Sequence, residues 1–302
     1  MSYKVEHISC KVCGSDKTKF LGIRGNLEYA GALPLKTGEE HIVTNVVQCR
    51  KCGFVYTNPF ILTSGGNKGY VDPDEYCPSE ENIDSKILFG YSISLIERYV
   101  PGKGTLLDIG CGKGEFLALA KEKGWQAYGI EPSEKFADYA TKKYNLDIKL
   151  DIKNSNFQGS FFDVVTLNMV LEHLDSPKAT LLEIRRVLKD NGFLFIEVPN
   201  MDSWMLKLAT LYFRLNKKGW SPLLSPLHHP FHCYGYNMFS LRSLLKNAGF
   251  RIKRFIISDT HLRGMYLRPS VSTLEKKLCR IAGRIASFIG KGDVLMAIAT
   301  KI

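Results

Sequence analysis

The sequence predicts a doubly wound α/β domain built on a parallel sheet, preceded by a small cysteine-bounded module. Three observations carry this prediction. Strand-like and helix-like segments alternate from residue 105 to residue 300. A glycine-rich turn, Thr105-Leu-Leu-Asp-Ile-Gly-Cys-Gly-Lys-Gly-Glu115, joins the first of these strands to the first of these helices. Two Cys-x-x-Cys-Gly knuckles, beginning at Cys10 and Cys49, bound the N-terminal 60 residues.

The elements follow in order. Lys19 to Gly25 and His41 to Gln48 read as strands between the knuckles, separated by turn-forming Gly and Pro. Residues 1–60 make up the module, and 61–84, rich in Gly, Ser, Asn and Pro, read as a linker. Leu88 to Val100 has Ile93, Ile96 and Tyr99 on one face and should be a helix. Then come strand 105–109, helix 114–123, strand 126–130, helix 133–144, strand 147–150, strand 162–168, helix 177–189 and strand 192–198. An insertion at 200–231, rich in Trp, Leu, Pro and His, interrupts the series. Helix 240–248, strand 251–258, helix 272–289 and strand 294–300 complete a domain spanning 85–302.

With 302 residues, 45% of them hydrophobic, the chain can bury a full core plus one accessory module. Met1 to Cys10 lacks a basic-then-apolar signal pattern, and no apolar run is long enough to span a bilayer, so a cytoplasmic protein is expected. Eight cysteines in a reducing compartment suggest metal before disulfide. The net charge of +11 is uneven: residues 242–302 hold thirteen Lys/Arg and three Asp/Glu. That basic region suits an anionic partner, and peripheral contact with the inner membrane face is one such expectation. A solvated basic surface is the plainer reading.

The glycine turn narrows the ligand. Strand, glycine turn, helix and a second strand ending at Glu131 is how an α/β fold holds an adenosine-containing cofactor, with the acid accepting ribose hydroxyls. A dinucleotide site needs G-x-G-x-x-G, whereas these glycines fall at Gly110, Gly112 and Gly114. The strand carries Asp108, which would repel a pyrophosphate and welcome an ammonium. That combination favours S-adenosylmethionine over NAD. Asp151 stands at the expected end of the third strand, where a carboxylate accepts from an adenine amino group and the Ile152 N–H meets a ring nitrogen. Asn168 ends the fourth strand on the same rim. A loop cap is the plainer role for Asp151 and for Asn168. In the N-terminal module, Cys10, Cys13, Cys49 and Cys52 suit a tetrahedral Zn²⁺, and four thiolates leave no open catalytic position.

Leu106-Leu-Asp-Ile-Gly-Cys-Gly-Lys-Gly, Phe162-Asp-Val-Val, Val170-Leu-Glu-His-Leu-x-x-Pro177, Arg186-Val-Leu-Lys-x-x-Gly192 and Val198-Pro-Asn200 together resemble the motif series of class I S-adenosylmethionine-dependent methyltransferases over residues 85–260. The resemblance implies a Rossmann-like seven-stranded sheet whose last strand is antiparallel. It also implies cofactor binding by Asp108, Gly110, Gly112, Glu131, Asp151 and Asn168; the reading of the turn and of the third strand's end adds Cys111, Gly114 and Ile152 to the expected cofactor site. The knuckles followed by Phe54-Val-Tyr-Thr-Asn-Pro59 resemble the zinc-ribbon front end of bacterial methyltransferases acting on sugars and cell-surface saccharides. So does His232-x-x-x-Tyr236-Asn-x-x-Ser240-Leu-x-x-Leu244-Leu-x-x-Ala-Gly249-Phe250. The sequence departs from the pattern of the larger sugar C-methyltransferases, with no counterpart expected for their extra C-terminal domain, so 3-C-methylation is not the expected activity. Leu171-Glu172-His173 is also similar to ubiquinone-pathway O-methyltransferases, in which this region holds a divalent metal. Met169 replaces their first Glu, so no catalytic metal is expected here.

A small acceptor such as a nucleotide- or lipid-linked sugar needs a base with a near-neutral pKa, which His supplies. His232 is the expected base, with Tyr234 or Tyr236 orienting the acceptor and His173 as the second candidate. Trp204, Met205, Leu208, Leu211, Tyr212 and Leu215 should pack a lid onto the domain. Leu274, Leu278, Ile281, Ile285 and Phe288 should dock helix 272–289 on the sheet. Two competing functions are a nucleic-acid (rRNA) methyltransferase with a zinc module and a non-catalytic binder of the cofactor. Against the first, no Asn/Asp-Pro-Pro-Tyr/Phe stretch follows the fourth strand, and aromatics are not interleaved with the basic cluster in the way a base-stacking surface needs.

Overall fold

The computed structural model describes residues 3–25, 43–63, 83–217, 219–224, 232–259 and 273–302. Most of the expected linker, the start of the strand expected at His41, and residues 225–231 of the insertion lie outside the described residues.

Seven strands form the main sheet: β6 (Thr105–Ile109), β7 (Gln126–Ile130), β8 (Asp147–Lys149), β9 (Phe162–Asn168), β10 (Leu188–Pro199), β12 (Phe250–Ser258) and β13 (Val294–Lys301). Their spatial order is β12-β13-β10-β9-β6-β7-β8. β8, β7, β6, β9 and β10 run parallel, and β13 is antiparallel to both β10 and β12. The fold is the doubly wound one that the alternation predicts, with the last strand reversed. The central strands are apolar on both faces because both are covered: Leu106, Leu107, Val164, Val165 and Leu167 are all buried.

The helices are α1 (Ile83–Glu97), α2 (Glu115–Glu122), α3 (Glu134–Tyr144), α4 (Pro177–Val187), α5 (Trp204–Leu215), α6 (Met238–Asn247) and α7 (Thr273–Phe288). α2 turns Phe116, Leu117 and Ala120 inward, and α4 turns in Leu181, Ile184 and Val187 at helical spacing. α4 begins with Pro at its first turn, where no N–H is needed. α6 opens on a capping box, Asn237 accepting from the Ser240 N–H and Ser240 Oγ accepting from the Asn237 N–H.

Three expectations change. Leu188 and Lys189, read as the end of a helix, begin β10. Leu188 pairs with Phe162, and a bulge restores register at Phe193. The apolar stripe of α5 does not pack down: no α5 residue is buried, and Met205, Leu208, Leu211, Tyr212 and Leu215 are exposed. Among the described side chains of α7, Gly283 and Ala286 are buried while Ile281, Ile285 and Phe288 face outward; Leu274 and Leu278 of the expected stripe lie outside the described side chains. In both helices, apolar spacing alone cannot say which apolar side faces the sheet.

The N-terminal strands are β1 (Tyr3–Glu6), β2 (Thr18–Gly25), β3 (Val43–Cys49), β4 (Val55–Thr57) and β5 (Phe60–Thr63), with β1 paired to β5. β2, β3 and β4 form an antiparallel sheet whose fourth strand, β11 (Tyr234–Gly235), comes from beyond the insertion. Phe54 and Phe60 pack on Tyr234, and Phe54 also on Tyr236, with ring centroids 5.1 to 5.7 Å apart. One hydrophobic cluster runs from Cys10, Val12 and Phe54 through Tyr234 and Tyr236 to Leu167 and Leu244. Module and α/β domain therefore share a sheet and a core.

Candidate active site

The site forms at the C-terminal ends of β6, β7 and β9, where the strand order reverses and open α/β sheets leave a crevice. β6 delivers Asp108, whose Oδ1 accepts from Thr166 Oγ at 2.6 Å and from Asn168 Nδ2 at 3.1 Å. Asp108 is only 3% exposed. Burial raises its pKa to about 7, opposed by the Thr166 and Asn168 bonds and reinforced by the Glu131 charge. A carboxyl held at this threshold takes its charged form when a cation is seated beside it.

Glu131, at the end of β7, is buried and clasps the glycine turn. Its Oε2 accepts from the Gly112 N–H at 3.0 Å and its Oε1 from the Ser133 N–H at 2.9 Å. This clasp has no signature in the sequence beyond the two residue types. The three glycines of the turn divide the labour. A Cβ on Gly110 would meet Val170 Cγ2 at 2.6 Å, and one on Gly114 would meet Ala140 and Leu146 at 2.8 Å, so those two serve close packing. Gly112, at φ +53°, has nothing within 4 Å of the same position. Its open face is the room a ligand needs.

The remaining cofactor candidates separate. Asn168 sits at the rim, bonded to Asp108. The Cys111 side chain turns into the core under Gly129, and burial pushes its thiol far above the ordinary range. Its backbone N–H donates to the Ile130 carbonyl at 3.0 Å. Asp151 stands two residues beyond β8, exposed, with Oδ1 accepting from the Lys153 N–H at 2.6 Å. This is the loop-cap geometry. Ile152 beside it is buried.

A second group closes the rim on the β9 side. Met169 takes a left-handed φ of +54°, which turns the chain into a 3-10 turn, Leu171–His173. The segment after the insertion returns beside it. The Cys233 N–H donates to the Glu172 carbonyl at 3.2 Å, the Met201 N–H to the Tyr236 carbonyl at 2.9 Å, and Tyr236 Oη to the Leu171 carbonyl at 3.4 Å. His173 and His232 are thereby brought together with ring centroids 4.9 Å apart and planes tilted by 59°. Glu172 lies beneath both: its Oε1 is 3.9 Å from His173 Nε2 and 3.8 Å from His232 Nε2. Glu172 is fully buried, and neither carboxyl oxygen has a hydrogen-bond partner among the described residues. Burial raises its pKa to about 8, with Glu197 adding repulsion.

His173 and His232 were the expected catalytic residues, while Glu172 was named only within the Leu171-Glu172-His173 resemblance and given no role. The available signal was the Leu-Glu-His triplet itself. One ligand-type atom from each of Glu172, His173 and His232 lies within 4.8 Å of the others. The three together form a group of metal-ligand type, with His232 supplied from the segment after the insertion. Tyr234 and Tyr236 are 1% and 0% exposed and pack in the aromatic seam with the module. They hold the His232 segment in place, and neither ring lies open to an acceptor. His228 and His229 lie outside the described residues.

The four knuckle cysteines converge separately. Cys10 and Cys52 Sγ are 3.5 Å apart, as are Cys13 and Cys49 Sγ, and all four sulfurs lie within 4.8 Å of one another. Tetrahedral Zn–S bonds of about 2.3 Å would place sulfurs roughly 3.8 Å apart. Donor type and spacing both fit a closed Zn²⁺ site.

A family model described as "Methyltransferase domain" matches residues 86–254. Among curated relatives, an uncharacterized protein of Methanocaldococcus jannaschii, MJ1123, is 30% identical over 125 residues, 41% of this chain and 58% of that protein. A ubiquinone biosynthesis O-methyltransferase of Idiomarina loihiensis is 29% identical over 136 residues, 42% of this chain and 54% of that protein. The aligned stretches thus take in little more than half of either relative. Geranyl diphosphate C-methyltransferase of Streptomyces coelicolor A3(2), solved with Mg2+, geranyl diphosphate and S-adenosyl-L-homocysteine, shares the fold. It superposes with a TM-score of 0.51 and 13% identity, covering 72% of this chain and 80% of that one.

Proposed function

The chain belongs to the methyltransferase domain family, and from that premise we propose that this S-adenosylmethionine-dependent methyltransferase acts on a hydroxyl of a sugar or saccharide-linked metabolite. The observation that carries the acceptor chemistry is the Glu172–His173–His232 cluster, set on the same rim as Asp108 and Asn168. A sulfonium methyl donor carries its own leaving group when bound, so the protein's work is placement and proton handling.

Asp108 takes the cofactor's ammonium, Glu131 its ribose hydroxyls, and the open face of Gly112 lets backbone approach it. Asp151 and the Ile152 N–H are proposed for the adenine edge. That role requires Asp151 to exchange its bond to the Lys153 N–H for one to the ligand. His232 accepts the proton of the acceptor hydroxyl as that oxygen forms its bond to the methyl carbon and the carbon–sulfur bond breaks. The resulting imidazolium sits 3.8 Å from Glu172, where its charge favours the carboxylate form of a group that burial otherwise keeps protonated. His173 presents the same face to Glu172 and positions the acceptor. A cation held by Glu172, His173 and His232 is a second way to activate the hydroxyl, favoured by the convergence of the three ligand-type atoms. Zinc at Cys10, Cys13, Cys49 and Cys52 has a structural role, bracing the sheet that β11 completes two residues after His232.

The test is transfer of isotope-labelled methyl from S-adenosylmethionine to a panel of nucleotide-linked and lipid-linked sugars, with structured RNA as the competing acceptor. Incorporation into a sugar that drops sharply in His232→Ala supports the reading. Incorporation into RNA alone, or tight cofactor binding with no turnover on any acceptor, refutes it.

A further inference from the structure

Two helices expose apolar faces that the reaction does not use. On α5, Met205, Leu208, Tyr212 and Leu215 repeat at helical spacing along one stripe, and their exposures run from 37% to 73%. On α7, Ile281, Ile285 and Phe288 form a second stripe, extended by Ile289, with the Phe288 ring 94% exposed. The stripes are neighbours: the Trp204 N–H at the start of α5 donates to the carbonyl of Lys291, just past the end of α7, at 3.1 Å. Asn200 ties the same corner together, its N–H donating to the Asp293 carbonyl at 2.8 Å and its Nδ2 to the Gly292 carbonyl at 2.7 Å. A monomer rarely leaves this much clustered apolar surface in water without a use for it.

Charge chooses the occupant. Residues 204–217 and 273–291 together carry eight Lys/Arg and one Glu. Lys207, Arg214, Lys217, Lys277 and Arg284 are exposed beside the apolar side chains. A second copy of this face would oppose like charge with like charge. An anionic bilayer answers both features, accepting the apolar stripes at the boundary between headgroups and acyl chains while its headgroups meet the basic rim. We propose that α5 and α7 form a membrane-docking face for an anionic lipid surface. α5 begins just beyond Pro199, where β10 ends at the active-site rim, so docking brings the rim to the bilayer. Resting on the saccharide reading of the site, the inference assigns the acceptor to the lipid-carried class.

The experiment is co-sedimentation of the full chain with phosphatidylcholine vesicles, with and without phosphatidylglycerol, at low and high salt. The expected result is binding to the anionic vesicles only, weakened by salt. A Leu208→Ser/Phe288→Ser double variant should bind about tenfold or more weakly. Both positions are exposed, so S-adenosylmethionine titration of the variant should match the parent and certify the fold. Absence of vesicle binding, or binding unchanged in the double variant, overturns the proposal. So does a parent dimer in solution that the double variant abolishes, since the face would then join two chains. Cofactor titration and methyl transfer are read separately, so loss of the saccharide reading leaves vesicle binding as an independent result.

Discussion

Replacing Asp108 by Asn should stabilise the free protein and weaken it as a cofactor binder, and the two effects have one cause. Burial has moved this carboxyl from 3.8 to about 7. A folded-state pKa above the unfolded value means that the native state holds the proton more tightly. Its contribution to stability is complete below about pH 4 and is lost as pH rises through about 7. Ionising the buried group fully costs roughly 4 kcal/mol, an upper bound at one pKa unit per 1.36 kcal/mol. Asn keeps an oxygen for Thr166 and Asn168 and never ionises. Asp108→Asn should therefore match the parent near pH 4 and exceed it in thermal stability by several degrees at pH 8.5. Cofactor reverses the order. A hydrogen bond between charged partners is worth about 1.5 to 3 kcal/mol, so the variant should bind S-adenosylmethionine roughly tenfold to a hundredfold more weakly at pH 8. Parent affinity should rise with pH through about 7 as the carboxylate forms, and variant affinity should be flat over that window. Thermal unfolding with and without cofactor at pH 5 and 8.5, beside calorimetric titration, reads both effects. Equal affinity in parent and variant at pH 8 would refute the placement of the ammonium at Asp108. A variant no more stable than the parent at pH 8.5 would refute the buried-carboxyl argument.

Gly112→Ala should cost only about 1 kcal/mol of stability, since its Cβ meets no atom and only the φ of +53° resists it, yet cofactor affinity should fall at least about tenfold as the methyl fills the ligand's space; titration and melting on one sample separate the two. His232→Ala should lower kcat by about a hundredfold or more with cofactor affinity unchanged. Glu172→Gln should erase the limb of the pH–rate profile near pH 8, where the parent carboxyl titrates, and a rate limb that persists in that variant belongs to another group. Cys52→Ser should remove zinc, measured by metal analysis, and perturb the near-ultraviolet circular dichroism of the Phe54–Tyr234–Tyr236 seam; an unchanged spectrum after metal loss would show that the seam stands without the ribbon.

The α/β part was legible because its signals are local. A strand buried on both faces must be apolar throughout, and a strand entering a tight turn needs glycine, so β6 to β10 and the cofactor turn are visible in linear order. Asp108 and Glu131 were found the same way, each being the acid at or near a strand end. Placement of Leu188 and Lys189 was lost because an amphipathic helix running directly into a strand gives no break in the apolar pattern. The outward faces of α5 and α7 were lost because periodicity reports a stripe and leaves its partner unnamed.

The sequence by itself determined the doubly wound class, the glycine turn with its two acids, and the four sulfur donors, since each depends on residues close in the chain or on a repeated spacing. Only the tertiary structure decided that Glu172 lies beneath His173 and His232, that Tyr234 and Tyr236 belong to a seam with the zinc module, and that β11 completes the module's sheet. These depend on bringing residues 54–57, 171–173 and 232–236 into contact although the segments lie far apart in the chain. The reason is that no local preference specifies such a meeting. It follows from burying the aromatic side chains of both segments in one core, and the buried carboxyl is carried in with them.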